Sequence, residues 1–180
     1  MRIIGGAFKS RIFRPGKNFK ARPTTDFARE NLFNILDNRY NFDTKKILDL
    51  FSGTGSISFE FASRGCQSIT SVEIDRFHYN FICSVIEKLD IKNLVKAVNG
   101  DAFKYIGRSL EQYDIIFADP PYELKRLAEI PDLILKSNIL PDEGLLILEH
   151  GKTNDFSLHP CFSELRTYGS VHFSFFVQKR

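Results

Sequence analysis

The sequence predicts an α/β protein built on a doubly wound, mostly parallel sheet, and three observations predict it. From Lys45 onward, short apolar runs rich in β-formers alternate with segments of helical length, the rhythm of strand, crossover helix and next strand. The first of these runs ends in a glycine turn, "LDLFSGTGS" (48–56), of the kind that joins a parallel strand to a helix. The tail "FSELRTYGSVHFSFFVQK" has no room for a crossover helix around Gly169, so the sheet should finish in an antiparallel hairpin at one edge.

Taken in order, "RIIGGAFKSRIFRP" sets Gly5-Gly6 between two short apolar-containing runs, the pattern of a two-residue hairpin turn that needs positive φ. After "RPTT", the segment "DFARENLFNIL" puts Phe27, Leu32, Ile35 and Leu36 near one face of a helix capped by Thr25 or Asp26. Strands are expected at about 46–51, 69–74, 94–99, 113–118 and 144–149, and with the tail hairpin the sheet has about seven. Between the second and third, Phe77, Phe81, Ile82, Val85, Ile86 and Leu89 recur at helical spacing, a face that should pack on the sheet. This divides the chain into a basic N-terminal extension, 1–44, formed of a β-hairpin plus a helix, and an α/β domain, 45–180. There is no internal repeat or low-complexity segment.

With 180 residues, 43% of them hydrophobic, the chain can bury the core of one domain. Cys66, Cys83 and Cys161 are odd in number and far apart, and Met1 opens no basic-then-apolar leader. That predicts a reduced, cytoplasmic protein. No apolar run approaches the roughly 18 residues needed to span a bilayer, so no membrane partner is expected, and the chain is expected to be a monomer. The net charge of +3 conceals an asymmetry: +7 through Lys46 and −4 thereafter. Residues 1–22 hold Arg2, Lys9, Arg11, Arg14, Lys17, Lys20 and Arg22 and no acid. Such a block attracts polyanions through counterion release and points to nucleic acid; the competing reading is a solvated, solubilising arm.

The chemistry-bearing residues gather at strand ends. In "LDLFSGTGS", Gly53 and Gly55 match the first two positions of G-x-G-x-x-G, but Ser58 stands at the third. The loop alone could be an ordinary tight turn. Asp49 ends the first strand, Glu73 in "SVEIDR" the second and Asp101 in "NGDA" the third. Ligands of such sheets lie outside the carboxyl ends of the strands, where a carboxylate can take ribose hydroxyls or an adenine amine. Three in succession favour one adenosine-containing ligand. The fourth strand delivers Asp119-Pro120-Pro121-Tyr122 to the same edge. Two prolines hold a rigid loop with carbonyls outside regular structure. The Asp119 carboxylate and the Pro120 carbonyl could accept both N–H groups of a nucleobase amine and aim its lone pair at an electrophile, with Tyr122 stacking on the base. No cysteine lies near this motif, against a cysteine-nucleophile mechanism, and His78, His150, His159 and His172 lack metal-ligand spacing, so no metal is expected.

The ordered set "DLFSGTGS", "VEID", "NGDA" and "ADPPY" resembles the Rossmann-like class I S-adenosylmethionine-dependent methyltransferases, in the amino-methylating branch. "MRIIGG", "RPTTDFARENLFNIL", "FADPPY", "LEH" and "YGSVHFSFF" add a resemblance to the RsmD-type enzymes over nearly the whole chain. That resemblance implies S-adenosyl-L-methionine as cofactor and small-subunit (16S) rRNA, free or in an assembling subunit, as partner, methylated at a guanine N2 amine. It implies that Asp49, Ser52, Gly53 and Gly55 hold the methionine end, Glu73 and Ile74 the ribose, and Asp101 and Ala102 the adenine. Asp119, Pro120, Pro121 and Tyr122 would hold the guanine, with Arg22, Thr24, Thr25 and Arg29 closing the site beside the basic arm. Ile74-Asp75 departs from the family, where a basic residue often follows the glutamate, and Phe51-Ser52 is a common variant. His150 after Glu149 fits the family's strand-end pattern. Three other readings stay open: a DNA adenine-N6 methyltransferase, which shares D-P-P-Y; a nicotinamide-dependent oxidoreductase, which leaves D-P-P-Y unexplained; and a catalytically silent RNA-binding module.

Overall fold

A computed structural model describes residues 1–16 and 24–179. Seven strands form one sheet: β1 (Lys46–Leu50), β2 (Ser68–Glu73), β3 (Val95–Asn99), β4 (Ile115–Ala118), β5 (Leu145–His150), β6 (Phe162–Tyr168) and β7 (Val171–Val177), in the order β3-β2-β1-β4-β5-β7-β6. The first five are parallel; β7 runs antiparallel between β5 and β6. The hairpin turns at Gly169, whose φ of 62° suits a residue without Cβ. The strand order reverses between β1 and β4, which opens a crevice at the carboxyl ends of the strands.

Strands buried on both faces read as continuous apolar runs rather than as alternation, which is why "IIFA" and "LLILEH" are buried at every position and "KILDL" at all but Lys46. One face carries Ile47, Ile69, Phe117, Ile147 and Phe175 against α1 (Asp26–Arg39), α2 (Ser56–Ser63) and α3 (Arg76–Leu89). The other carries Leu48, Leu50, Ile116 and Leu146 against α4 (Ala102–Arg108) and α5 (Ile130–Leu135). Ile3 and the α1 residues Leu32, Phe33 and Leu36 share the first core with the sheet.

Three local expectations are corrected. Gly5-Gly6 is not a two-residue hairpin turn: the antiparallel pairing is a single bridge, Arg2 with Ile12, and the chain turns over Gly5 to Ser10. The glycines instead let this loop lie on the end of α2. Ala7 N donates to the Ser63 carbonyl at 2.7 Å, and a Cβ on Gly6 would stand 1.9 Å from that oxygen. In α1 the buried face is Ala28, Arg29, Leu32, Phe33 and Leu36. Phe27 is 64% exposed, its ring edge-on to Tyr168, and Ile35 is half-buried. In α3, Ile82, Val85, Ile86 and Leu89 are buried, but Phe77, in the helix's first turn, is 74% exposed. No helix among the described residues is long and apolar enough to cross a membrane.

Candidate active site

The loop after β1 is shaped by positive φ at Phe51, Gly53 and Gly55. Gly55 sits immediately before α2, and a Cβ there would come 2.8 Å from Phe59 and 3.1 Å from Ile82. Its missing side chain therefore makes room for the helix to pack, while Gly53 and Ser52 face the cavity beside the loop. The Ser52 hydroxyl donates to the Asp49 carbonyl at 2.7 Å, and Gly53 N donates to Glu73 Oε2 at 2.7 Å, tying the turn to the tip of β2. Glu73 Oε1 accepts from Asp75 N at 2.8 Å.

Above these loops lies a cavity of about 490 Å³, lined from the carboxyl ends of all five parallel strands. It brings together Asp49, Ser52, Gly53, Glu73, Ile74, Asp101 and Ala102 with Asp119, Pro120, Pro121 and Tyr122, and Thr24 and Thr25 close one side. Gly55 and Arg29 are not on its wall. Arg29 is 1% exposed and buried under the arm, where Nη2 donates to the Arg2 carbonyl and to Asp26. Arg2, Lys9, Arg11 and Arg14 are exposed on the N-terminal segment, with the Arg11 guanidinium over the Phe8 ring. Lys17, Lys20 and Arg22 lie outside the described residues.

The carboxylates differ in their surroundings. Asp49 is 1% exposed, and Oδ2 accepts from Ser58 N at 3.1 Å and from the Ser58 hydroxyl at 2.6 Å. Ser58, where the glycine pattern fails, is thus the residue that holds Asp49. Burial pushes the Asp49 carboxyl up to about 7 against those two bonds. Burial, with the charges of Glu149 and Asp49 nearby, pushes Asp119 well above the usual carboxylate range. Asp101 caps α4, accepting from Lys104 N at 2.8 Å. The prolines are followed by a turn in which Leu124 N donates to the Pro121 carbonyl at 2.9 Å.

Glu149 is a wall residue that the strand-end argument passed over. It is the penultimate residue of β5, is 3% exposed, and accepts from the Tyr122 hydroxyl at 3.1 Å and from the Thr24 hydroxyl at 2.7 Å. The signal was present, since "LLILEH" is a further strand ending in an acid. His150, one residue on, points to the opposite face: Nδ1 donates to the Gly151 carbonyl and Nε2 accepts from Ser174. Among the described residues no group of three or more His, Cys, Asp or Glu could hold a metal ion.

Comparison with known proteins narrows the reading. The family described as "Conserved hypothetical protein 95" matches residues 1–177. A ribosomal RNA small subunit methyltransferase D of Buchnera aphidicola is 32% identical, covering 98% of this chain and 91% of its own length. The chain belongs to the RsmD-type family of class I methyltransferases. The RsmD-type protein of Escherichia coli K12 is 30% identical over 89% of this chain and 80% of its own. The solved structure of Escherichia coli yhhF, 28% identical, matches with a TM-score of 0.84 over 99% of this chain and 98% of that one. The RsmD-type chain thus shares its fold with that structure over nearly the full length of both.

Proposed function

We propose that the chain transfers a methyl group from S-adenosyl-L-methionine to the exocyclic N2 amine of a guanine in small-subunit ribosomal RNA. One observation carries the reading: Asp119-Pro120-Pro121-Tyr122 opens into the same cavity as Asp49, Glu73 and Asp101, so a group that holds an amine faces groups suited to an adenosine cofactor.

The residues fit that cofactor. Asp49 is a buried carboxylate that a ligand's ammonium would hold ionised. Glu73 has oxygens already oriented by Gly53 N and Asp75 N, each with a second lone pair for a ribose hydroxyl. Ile74 and Ala102 offer apolar surface to an adenine beside Asp101. When bound, the cofactor supplies an electrophilic methyl group on a sulfonium. At the other end, Asp119 and the Pro120 carbonyl accept the two N–H groups of the amine, which turns the nitrogen lone pair toward the Asp49 side of the cavity. The burial that raises the Asp119 carboxyl's hold on a proton suits it to take the one released as the nitrogen is methylated. Tyr122 stacks on a base taken out of its own stack, and the exposed Arg2, Lys9, Arg11 and Arg14 meet backbone phosphates.

The test is labelled-methyl transfer to unmodified small subunits and to free 16S rRNA, followed by digestion to nucleosides. N2-methylguanosine is the expected product; N6-methyladenosine, or transfer to duplex DNA in preference to rRNA, would overturn the assignment of the acceptor.

A further inference from the structure

We propose that Phe27 is a stacking platform for the RNA base next to the methylated guanine, held at the lip of the cavity's acceptor end. The proposal rests on the guanine-in-rRNA reading and adds where the neighbouring nucleotide goes.

Three segments wall the acceptor end. Thr24 and Thr25 lead into α1, and the Thr24 hydroxyl donates to Glu149 Oε2 at 2.7 Å and lies 3.5 Å from Asp119 Oδ2. Ser170 and Val171 lie at the start of β7, which pairs with β5, and Asp119 to Glu123 follow β4. Ile74, Gly100 and Asp101 line the opposite end, beyond β2 and β3. Phe27 comes two residues after Thr25, and Tyr168 two residues before Ser170. Their rings, with centroids 6.0 Å apart and planes at 84°, thus stand together just outside the acceptor end.

Single exposed apolar side chains are ordinary on protein surfaces, but three observations set this one apart. The ring is anchored: Tyr168 packs in turn on Phe173, centroids 6.0 Å apart, and Phe173 is fully buried in the first core. Phe27 itself stays 64% exposed, so the edge contact steadies the ring and leaves most of it open. The second observation is charge. Exposed Arg2 pairs with Asp26, the residue before Phe27, and its bridge to Ile12 brings Arg11 and Arg14 along with it. Rings among cations suit single-stranded nucleic acid, whose bases stack on the rings while its phosphates meet the cations. The third is the ring inside the cavity. Tyr122 is backed by Gly151, where a Cβ would stand 3.0 Å from Cδ2, and a guanine drawn onto it leaves its neighbour without a stacking partner. Phe27 offers that neighbour a replacement surface, which offsets part of the cost of extracting the guanine.

The experiment uses the full chain with unmodified small subunits as substrate. Phe27→Ala should lower kcat/KM by about tenfold, the scale of one lost base–aromatic stack, with S-adenosylmethionine affinity unchanged. Phe27→Tyr should keep the wild-type value and Phe27→Leu should match the alanine variant, which separates stacking from apolar bulk. With p-benzoylphenylalanine at position 27, irradiation should cross-link the chain to a nucleotide directly beside the methylated guanine, mapped by primer extension. An alanine variant with full kcat/KM, a leucine variant as active as wild type, a tyrosine variant as slow as alanine, or cross-links only to a ribosomal protein or a distant nucleotide would each overturn the role of Phe27. The parent reading fails by a different result, a wild-type product other than N2-methylguanosine, so the two failures are distinct.

Discussion

Glu60 and Asp119 are both acids buried in this protein, and their surroundings are opposite. Glu60, on α2, is fully buried yet compensated: the Arg64 guanidinium and Ile4 N, at 2.6 Å, donate to it, and the Arg29 guanidinium lies beside it as an ion pair with Nε at 3.4 Å. Asp119 is buried beside two other acids, with the Thr24 hydroxyl at 3.5 Å. The difference separates structure from function. Glu60 is compensated within the chain and pins the N-terminal segment to the helix behind the cavity. Asp119, Asp49 and Glu149 instead share the wall of one cavity, and burial pushes the carboxyls of the first two upward.

The comparison can be broken in graded steps. The largest effect is expected at Asp119: Asp119→Ala should lower kcat by about 10²–10³ or more while S-adenosylmethionine affinity, read by calorimetry, stays within a few-fold. Full activity in that variant would remove the acceptor assignment. At Glu60 the loss should fall on stability instead. Glu60→Ala removes the buried carboxylate between the Arg29 and Arg64 guanidiniums, leaving them only Asp26 and Asp37 as acid partners among the described residues, and should cost about 3–5 kcal/mol in urea unfolding; a cost under about 1 kcal/mol would show that the buried network is not what anchors the arm.

Asp49 should behave in the opposite sense to Glu60. Its folded value, about 7, lies above the ordinary value of 3.8. The stability associated with its protonated form is therefore fully present below about pH 4 and lost as pH rises through about 7. In the ligand-free protein, Asp49→Asn should raise Tm relative to wild type at pH 8, and the advantage should shrink at pH 5. The same ionisation should make S-adenosylmethionine bind more tightly at pH 8 than at pH 6 in the wild type, with the pH dependence flattened in the variant. The smallest effect is expected at Gly151→Ala, where a methyl group pressed on the Tyr122 ring should cost a few-fold in kcat/KM and leave Tm within a few degrees.

Much of the site was legible because parallel strands deliver their carboxyl ends to one edge, so acids ending successive apolar runs must meet there. Asp49, Glu73, Asp101 and Asp119 could be placed together on that ground alone. Glu149, near the end of "LLILEH", obeys the same rule, although a histidine and the long connection to the hairpin follow it. Phe27 and Phe77 went wrong because helical periodicity says which residues share a face, not how far the partner surface extends. Gly5-Gly6 went wrong because a glycine pair permits a tight turn and a close backbone approach equally, and the second is visible only with α2 in place.

The sequence by itself determined the alternation of strands and helices, the antiparallel ending at Gly169, the glycine loop after β1 and the rigid Asp119-Pro120-Pro121-Tyr122 loop after β4, because these follow from local periodicity, proline and glycine chemistry and the chirality of crossovers. Tertiary structure alone decided which glycine serves the cavity and which serves packing, that Ser58 orients Asp49, that Arg29 belongs to the buried network rather than the cavity wall, and that Thr24 bridges Asp119 and Glu149. Those facts depend on contacts between residues up to 125 apart in the chain, and no local pattern encodes the distance between side chains that only the packed sheet brings together.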